Sequence, residues 1–183
     1  LTVTSNSTVS GAFSMTGGSL TAQGTGVAFA ASGATTVGGA SLIASGGATL
    51  SLPNLTSYTN TTSVNSQIRS LIATGTGSVL ELRNVTTVTN GLDFDTHLSI
   101  SALAGGKVDL RGVTQIIDPS SGDTRFRTVD ITADGASSLV DLTGLTSFSD
   151  MQARRSTSDR RDSTNTPKNS GTIQAPALSV LTG

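Results

Sequence analysis

Along most of the chain, apolar and polar residues alternate in short runs, and the runs recur. Leu80-Glu81-Leu82, Val108-Asp109-Leu110 and Val140-Asp141-Leu142 each set an acid between two apolar residues. Period two marks a strand with one buried face. A run ending in alanine comes before each: LIA at 42–44 and 71–73, ISA at 100–102, ITA at 131–133. The Gly-rich segment between the two runs reads as a turn. Leu55 to Tyr58, Val85 to Val88, Val113 to Ile116 and Leu145 to Phe148 then read as a third short strand. Anchors Leu52, Leu82, Leu110 and Leu142 are spaced by 30, 28 and 32 residues. A weaker copy follows with Ala175 at the anchor, and a degenerate one precedes with Ala22. No window carries the i, i+3, i+4, i+7 stripe of an amphipathic helix.

Three short strands and three turns in each period predict an all-β fold: a parallel β-helix, or solenoid, of about six coils. Two residues after the anchors stand Asn54, Asn84, Gly112 and Gly144. Asn and Gly tolerate the left-handed backbone region, so these structural turns are expected to have positive φ. The rest of each period is polar and variable in length, as excursions from a fixed frame would be. The nearest rival is a leucine-rich horseshoe, whose L-x-x-L spacing is echoed in SLVDLTGLTSF. That architecture calls for a shorter period, a convex helix and a recurring Asn.

Composition narrows the picture. Only 3% of the 183 residues are aromatic, so the core must be built of thin Val, Leu, Ile and Ala layers. The length suits one domain, 1–183. Within it the polar, basic stretch MQARRSTSDRRDSTNTPKNS (151–170) is expected to be a loop or surface excursion, and 171–183 a final partial coil. A net charge of −1 with 13% charged residues offers no basic field for nucleic acid. The absence of cysteine excludes disulfides and thiolate chemistry. Abundant Thr, Ser, Asn and Gly with scarce Lys favours an extracellular setting. No apolar run has the length of a transmembrane segment, about 18–20 residues. Leu1 is no initiator methionine, so the chain is expected to be processed or part of a longer protein.

Phrases such as ITADGASSLVDLTGLTSF resemble the Gly/Thr-rich repeats of very large bacterial cell-surface and secreted proteins. The Asn/Gly corner is similar to that between the second and third sheets of right-handed parallel β-helices of the pectate-lyase-like kind. The resemblance implies a right-handed solenoid over roughly 10–150 and, more faintly, 170–183. It implies little about activity, because that fold hosts lyases, hydrolases, adhesins and plain stalks.

The candidate chemistry is sparse. Glu81, Asp109 and Asp141 lie between inward residues, so they point outward in one column, with Arg83 and Arg111 beside them. Such a column would bind Ca²⁺ or grip an acidic sugar polymer, and the resemblance supports this, since pectate-lyase-like enzymes set acids on a sheet face near an Arg. Alternatively it is a solvated ladder in which Arg offsets each acid; carboxylates one coil apart repel by only about 1 kcal/mol in water. Asp93, Asp95 and His97 would share one face of an extended segment, as weak candidates for a divalent metal. DPSSGDTR (118–125) reads as a turn. No G-x-S-x-G or Cys is present, so nucleophilic catalysis has no support. Thr56, Thr86, Thr114 and Thr146 form a single-file ladder, unlike the paired Thr arrays of ice-binding solenoids.

The expected function is therefore structural or adhesive: a module of a bacterial extracellular or cell-surface protein, stacking through strand edges into a fibre or stalk. Its partners would be further repeats or other copies of the same protein. No cofactor is required, and no catalytic residue stands out. The alternative is a parallel β-helix that binds or cleaves an acidic polysaccharide at the Glu81/Asp109/Asp141 face.

Overall fold

The computed structural model describes residues 1–61, 63–150 and 161–182. Among these the chain contains no helix and completes seven coils of a right-handed parallel β-helix. No helix of the described residues is long and apolar enough to cross a membrane. The first sheet stacks Thr2–Val3, Ser19–Gln23, Ser41–Ser45, Ile68–Thr74, His97–Leu103, Thr128–Asp134 and Asn165–Lys168. The second stacks Ser7–Val9, Ala28–Ala31, Thr49–Ser51, Val79–Glu81, Lys107–Asp109, Leu139–Asp141 and Thr172–Gln174. On the third side Phe13–Met15 pairs with Thr35–Val37. Ser57–Thr59, Thr87–Thr89, Gln115–Asp118, Ser147–Asp150 and Val180–Thr182 form a five-stranded sheet. The bridge Gly38–Thr59 joins these two parts. At one strand spacing per coil the column is about 30 Å tall.

The coil number corrects the expected six, and the reason lies in coil length. Along the first sheet successive coils advance by 19, 22, 29, 29, 31 and 34 residues. Extrapolating the long period backwards overshoots. Ala22 lies beside Ala44 in the first sheet, and Ala31 ends the strand that pairs beneath Leu50-Ser51, one coil before Leu52. Ala175, following the strand that pairs with Leu139–Asp141, does occupy the expected anchor position. The excursion expected over 151–170 ends earlier than its composition suggests. Asn165–Lys168 pairs with Ile131–Asp134, so the last coil has all three strands. Residues 151–160 lie outside the described residues.

Inward side chains stack on their own kind. Ala22, Ala44, Ala73, Ala102 and Ala133 form one column, and Leu52, Leu82, Leu110 and Leu142 another, all fully buried. Burying one such Leu side chain stabilises the fold by about 2–3 kcal/mol. With so few aromatics, regular aliphatic layers supply the core.

Positive φ is found at the other kind of turn than the one expected. Leu55, Val85, Val113 and Leu145 donate N–H bonds of 2.9–3.1 Å to Leu52, Leu82, Leu110 and Leu142. These bonds close turns with Asn54, Asn84, Gly112 and Gly144 at the third position, and none of the four has positive φ. What selects them is the coil before. An ideal Cβ on Gly112 would lie 2.1 Å from Arg83 O, and one on Gly144 2.4 Å from Arg111 O. Asn84 Nδ2 instead donates to Pro53 O at 2.7 Å, and Asn54 Nδ2 to Ser32 O at 2.6 Å. The position accepts a side chain that binds the preceding corner, or none. Positive φ belongs to the corner between the first and second sheets, at Gly75, Gly77, Ala104, Gly105, Gly135 and Ser137. There Ser78 and Ser138 hydroxyls each donate back to a carbonyl at 2.7 Å and accept a glycine N–H of the coil before at 2.9 Å.

Candidate functional site

The outward carboxylates of the second sheet form the expected column: Glu81 pairs in register with Asp109, and Asp109 with Asp141. Each is already engaged. Arg83 pairs with Glu81, whose other oxygen accepts the Ser51 hydroxyl at 2.6 Å. Arg111 donates to both oxygens of Asp109, from Nε at 2.8 Å and from Nη2 at 2.7 Å. Lys107 Nζ lies 3.4 Å from Asp141 Oδ2, with Arg111 Nη2 at 3.9 Å. Asp109 therefore does not face water as expected. It is 3% exposed, because the base two residues on folds back over it. Burial acts to raise its pKa, but the Arg111 hydrogen bonds outweigh it and hold the carboxyl below its ordinary range. A cation bound to Asp109 would have to displace Arg111. The geometry is that of a self-neutralised ladder.

Asp93, Asp95 and His97 do not form the expected face. Asp95 has φ 56°, so the segment is not extended. Among the described residues no three acids or histidines gather closely enough to hold a metal ion. His97 is buried between coils instead. Its Nε2 lies 2.8 Å from Asp95 Oδ1 and its Nδ1 2.7 Å from Thr128 Oγ1. The Thr128 hydroxyl donates to Asp130 Oδ2 at 2.9 Å, and Asp130 Oδ1 accepts both the N–H and hydroxyl of Thr164. Burial acts to raise the Asp95 pKa, but hydrogen bonds from Ser66 and His97 draw it down. The cluster ties two successive excursions to the segment that enters the last coil. Its chemistry is positional.

A stacked polar group of the interior is one that the motif reading missed. Asn60, Asn90 and Asp118 stack in successive coils, two residues after Tyr58, Val88 and Ile116, and all three are buried. Asn60 Nδ2 donates to Asn90 Oδ1 at 3.0 Å, and Asn90 Nδ2 to Asp118 Oδ1 at 3.2 Å. Asp150 stands at the next position, paired with Asp118 in register. Beside Asp118 lies Arg127, 0% exposed, with Nε 3.4 Å from Asp118 Oδ1. Its other nitrogens donate to the carbonyls of Gly91, Ser121 and Pro119. One guanidinium thus closes the 118–127 excursion around itself. Sequence did carry a signal, a polar Asn or Asp at one fixed place in four repeats, but DPSSGDTR drew it toward a surface turn.

The threonine column is also structural. Thr86, Thr114 and Thr146 hydroxyls donate to Thr56, Thr86 and Thr114 carbonyls at 3.0–3.2 Å, stitching corner to corner. An open groove lies where the third sheet divides. It measures about 530 Å³ and is lined by Thr16, Thr59, Thr61, Ser63, Leu92 and Asp93, and the buried Asn60, Asn90 and Gly91 border it from beneath. Among the described residues no aromatic ring or cationic side chain lines it.

Compared with known proteins, the chain matches no family model, no curated protein and no solved structure. Its class rests on its fold, a parallel β-helix of stacked repeats.

Proposed function

We propose that this chain is a structural or adhesive module of a bacterial extracellular or cell-surface protein, a stiff column that spaces or assembles through its strand edges. The observation that carries the reading is how far the recurrent chemistry is engaged within the fold. The acids of the second sheet are held by Arg83, Arg111 and Lys107, the Thr hydroxyls by carbonyls, the Asn54 and Asn84 amides by carbonyls of the coil before, and Asn60 by Asn90. A site built to seize an acidic polysaccharide at Glu81, Asp109 and Asp141 would leave charge to offer. Such a column grows by adding parallel strands along its axis, and Leu181, exposed in the last described strand, is a residue that an added strand would meet.

Sedimentation velocity over a wide concentration range tests the proposal, comparing the chain with its Leu181→Lys variant. Elongated, concentration-dependent assemblies that the substitution abolishes are expected. A monomer at every concentration, together with retention on an acidic-polysaccharide column that Asp109→Ala removes, would overturn it in favour of the carbohydrate reading.

A further inference from the structure

Asn90 is followed by Gly91, and Asn-Gly occurs once in the chain. That dipeptide is the one most prone to deamidation, because glycine leaves the next backbone nitrogen unhindered. The Gly91 nitrogen loses its proton to base and bonds to Asn90 Cγ. The Cγ–Nδ2 bond breaks, and ammonia leaves a cyclic imide. Water then opens the imide to aspartate or isoaspartate. The sequence is redox-neutral and needs only water and base.

In the folded chain this amide is buried and hydrogen-bonded through both of its ends. Asn90 is 1% exposed, and its Nδ2 faces Thr128 O at 3.1 Å, Thr96 O at 3.2 Å and Asp118 Oδ1 at 3.2 Å. Its Oδ1 accepts from Asn60. With both ends of the amide held, Cγ is not free to swing onto the Gly91 nitrogen. Every partner of Nδ2 is an acceptor, so the site requires a donor. A carboxylate there would set oxygen against two carbonyls and the Asp118 carboxylate, buried, with no hydrogen to share. An isoaspartate would also lengthen the backbone directly after the third-sheet strand Thr87–Thr89.

We infer that Asn90–Gly91 is a modification site guarded by the fold: the native ladder shields it, opening exposes it, and conversion bars return. Each excursion into the unfolded state then carries a chance of irreversible loss, so the lifetime of the column is set by how often its middle coils open.

The test incubates the intact protein at mildly alkaline pH, folded and in urea, and follows each asparagine by peptide mapping. Asn6, Asn65 and Asn169, each followed by Ser, serve as internal references. Asn90 is expected to convert fastest in urea and at least about tenfold more slowly in the folded chain, as local opening dictates. On dilution from urea, chains converted at 90 should fail to recover the native melting transition, whereas chains converted only at the references should recover it. Protection below about tenfold, or refolding of the converted chains to the parent transition, would overturn the inference.

Discussion

Replacing Arg127 by Met removes a buried guanidinium while keeping most of the side-chain volume, and its cost can be worked out from its surroundings. Arg127 and Asp118 are both 0% exposed, and the guanidinium also binds the carbonyls of Gly91, Ser121 and Pro119. Burial pulls the Arg127 pKa down while the charge of Asp118 pushes it back up. Removing one partner of such a pair strands the other charge in the interior, at about 3–5 kcal/mol. Carbonyls left without a donor add about 1 kcal/mol or more each, less whatever water can recover. A loss of about 4–6 kcal/mol is expected, which for a chain of this size lowers the melting temperature by about 10 °C or more. Urea titration followed by far-UV circular dichroism measures the loss directly. The double variant Arg127→Met/Asp118→Asn should recover at least about half of it, because an uncharged amide at 118 continues the Asn60–Asn90 stack and no longer needs a counter-ion. A single variant within about 1 kcal/mol of the parent, or a double variant no better than the single, would refute the assignment of Arg127 as the charge that holds this corner.

Two further outcomes follow from the same geometry. Gly112→Ala should cost about 2–3 kcal/mol, since its Cβ would meet Arg83 O, whereas Gly11→Ala, with nothing within 4 Å, should be near neutral; equal denaturation midpoints for the two would contradict the close-approach account. The native pKa of Asp109 lies below its ordinary value, so its contribution to stability is present above the usual carboxylate range near pH 4 and is lost as pH falls through the lower native value. Melting temperature should therefore fall on acidification below about pH 4, and Asp109→Asn should flatten that fall; superimposable pH profiles would show that Arg111 contributes nothing.

The coil was legible in the sequence because the pattern that makes it is local. Leu80-Glu81-Leu82 reads as a half-buried strand without knowledge of its neighbours, and the recurrence of alanine runs and anchors told how many strands make a turn of the helix. The carboxylate column was legible for the same reason: residues at one repeat position must stack. Its burial was not, since alternation says only that Asp109 leaves the core. Whether water or Arg111 meets it depends on a turn that folds the base back.

Sequence by itself determined the all-β class, the three-strand repeat, the inward aliphatic layers and the outward acids, all of which follow from period-two alternation and stacking in register. Tertiary structure decided what those positions do. It set the number of coils, because the first two advance by 19 and 22 residues and leave no 30-residue trace. It decided that Gly112 and Gly144 serve close approach rather than left-handed backbone, because the constraint comes from a carbonyl some thirty residues earlier. And it placed Arg127 beside Asp118, across the eight residues that separate them, where only a folded interior low in water gives the pair its meaning.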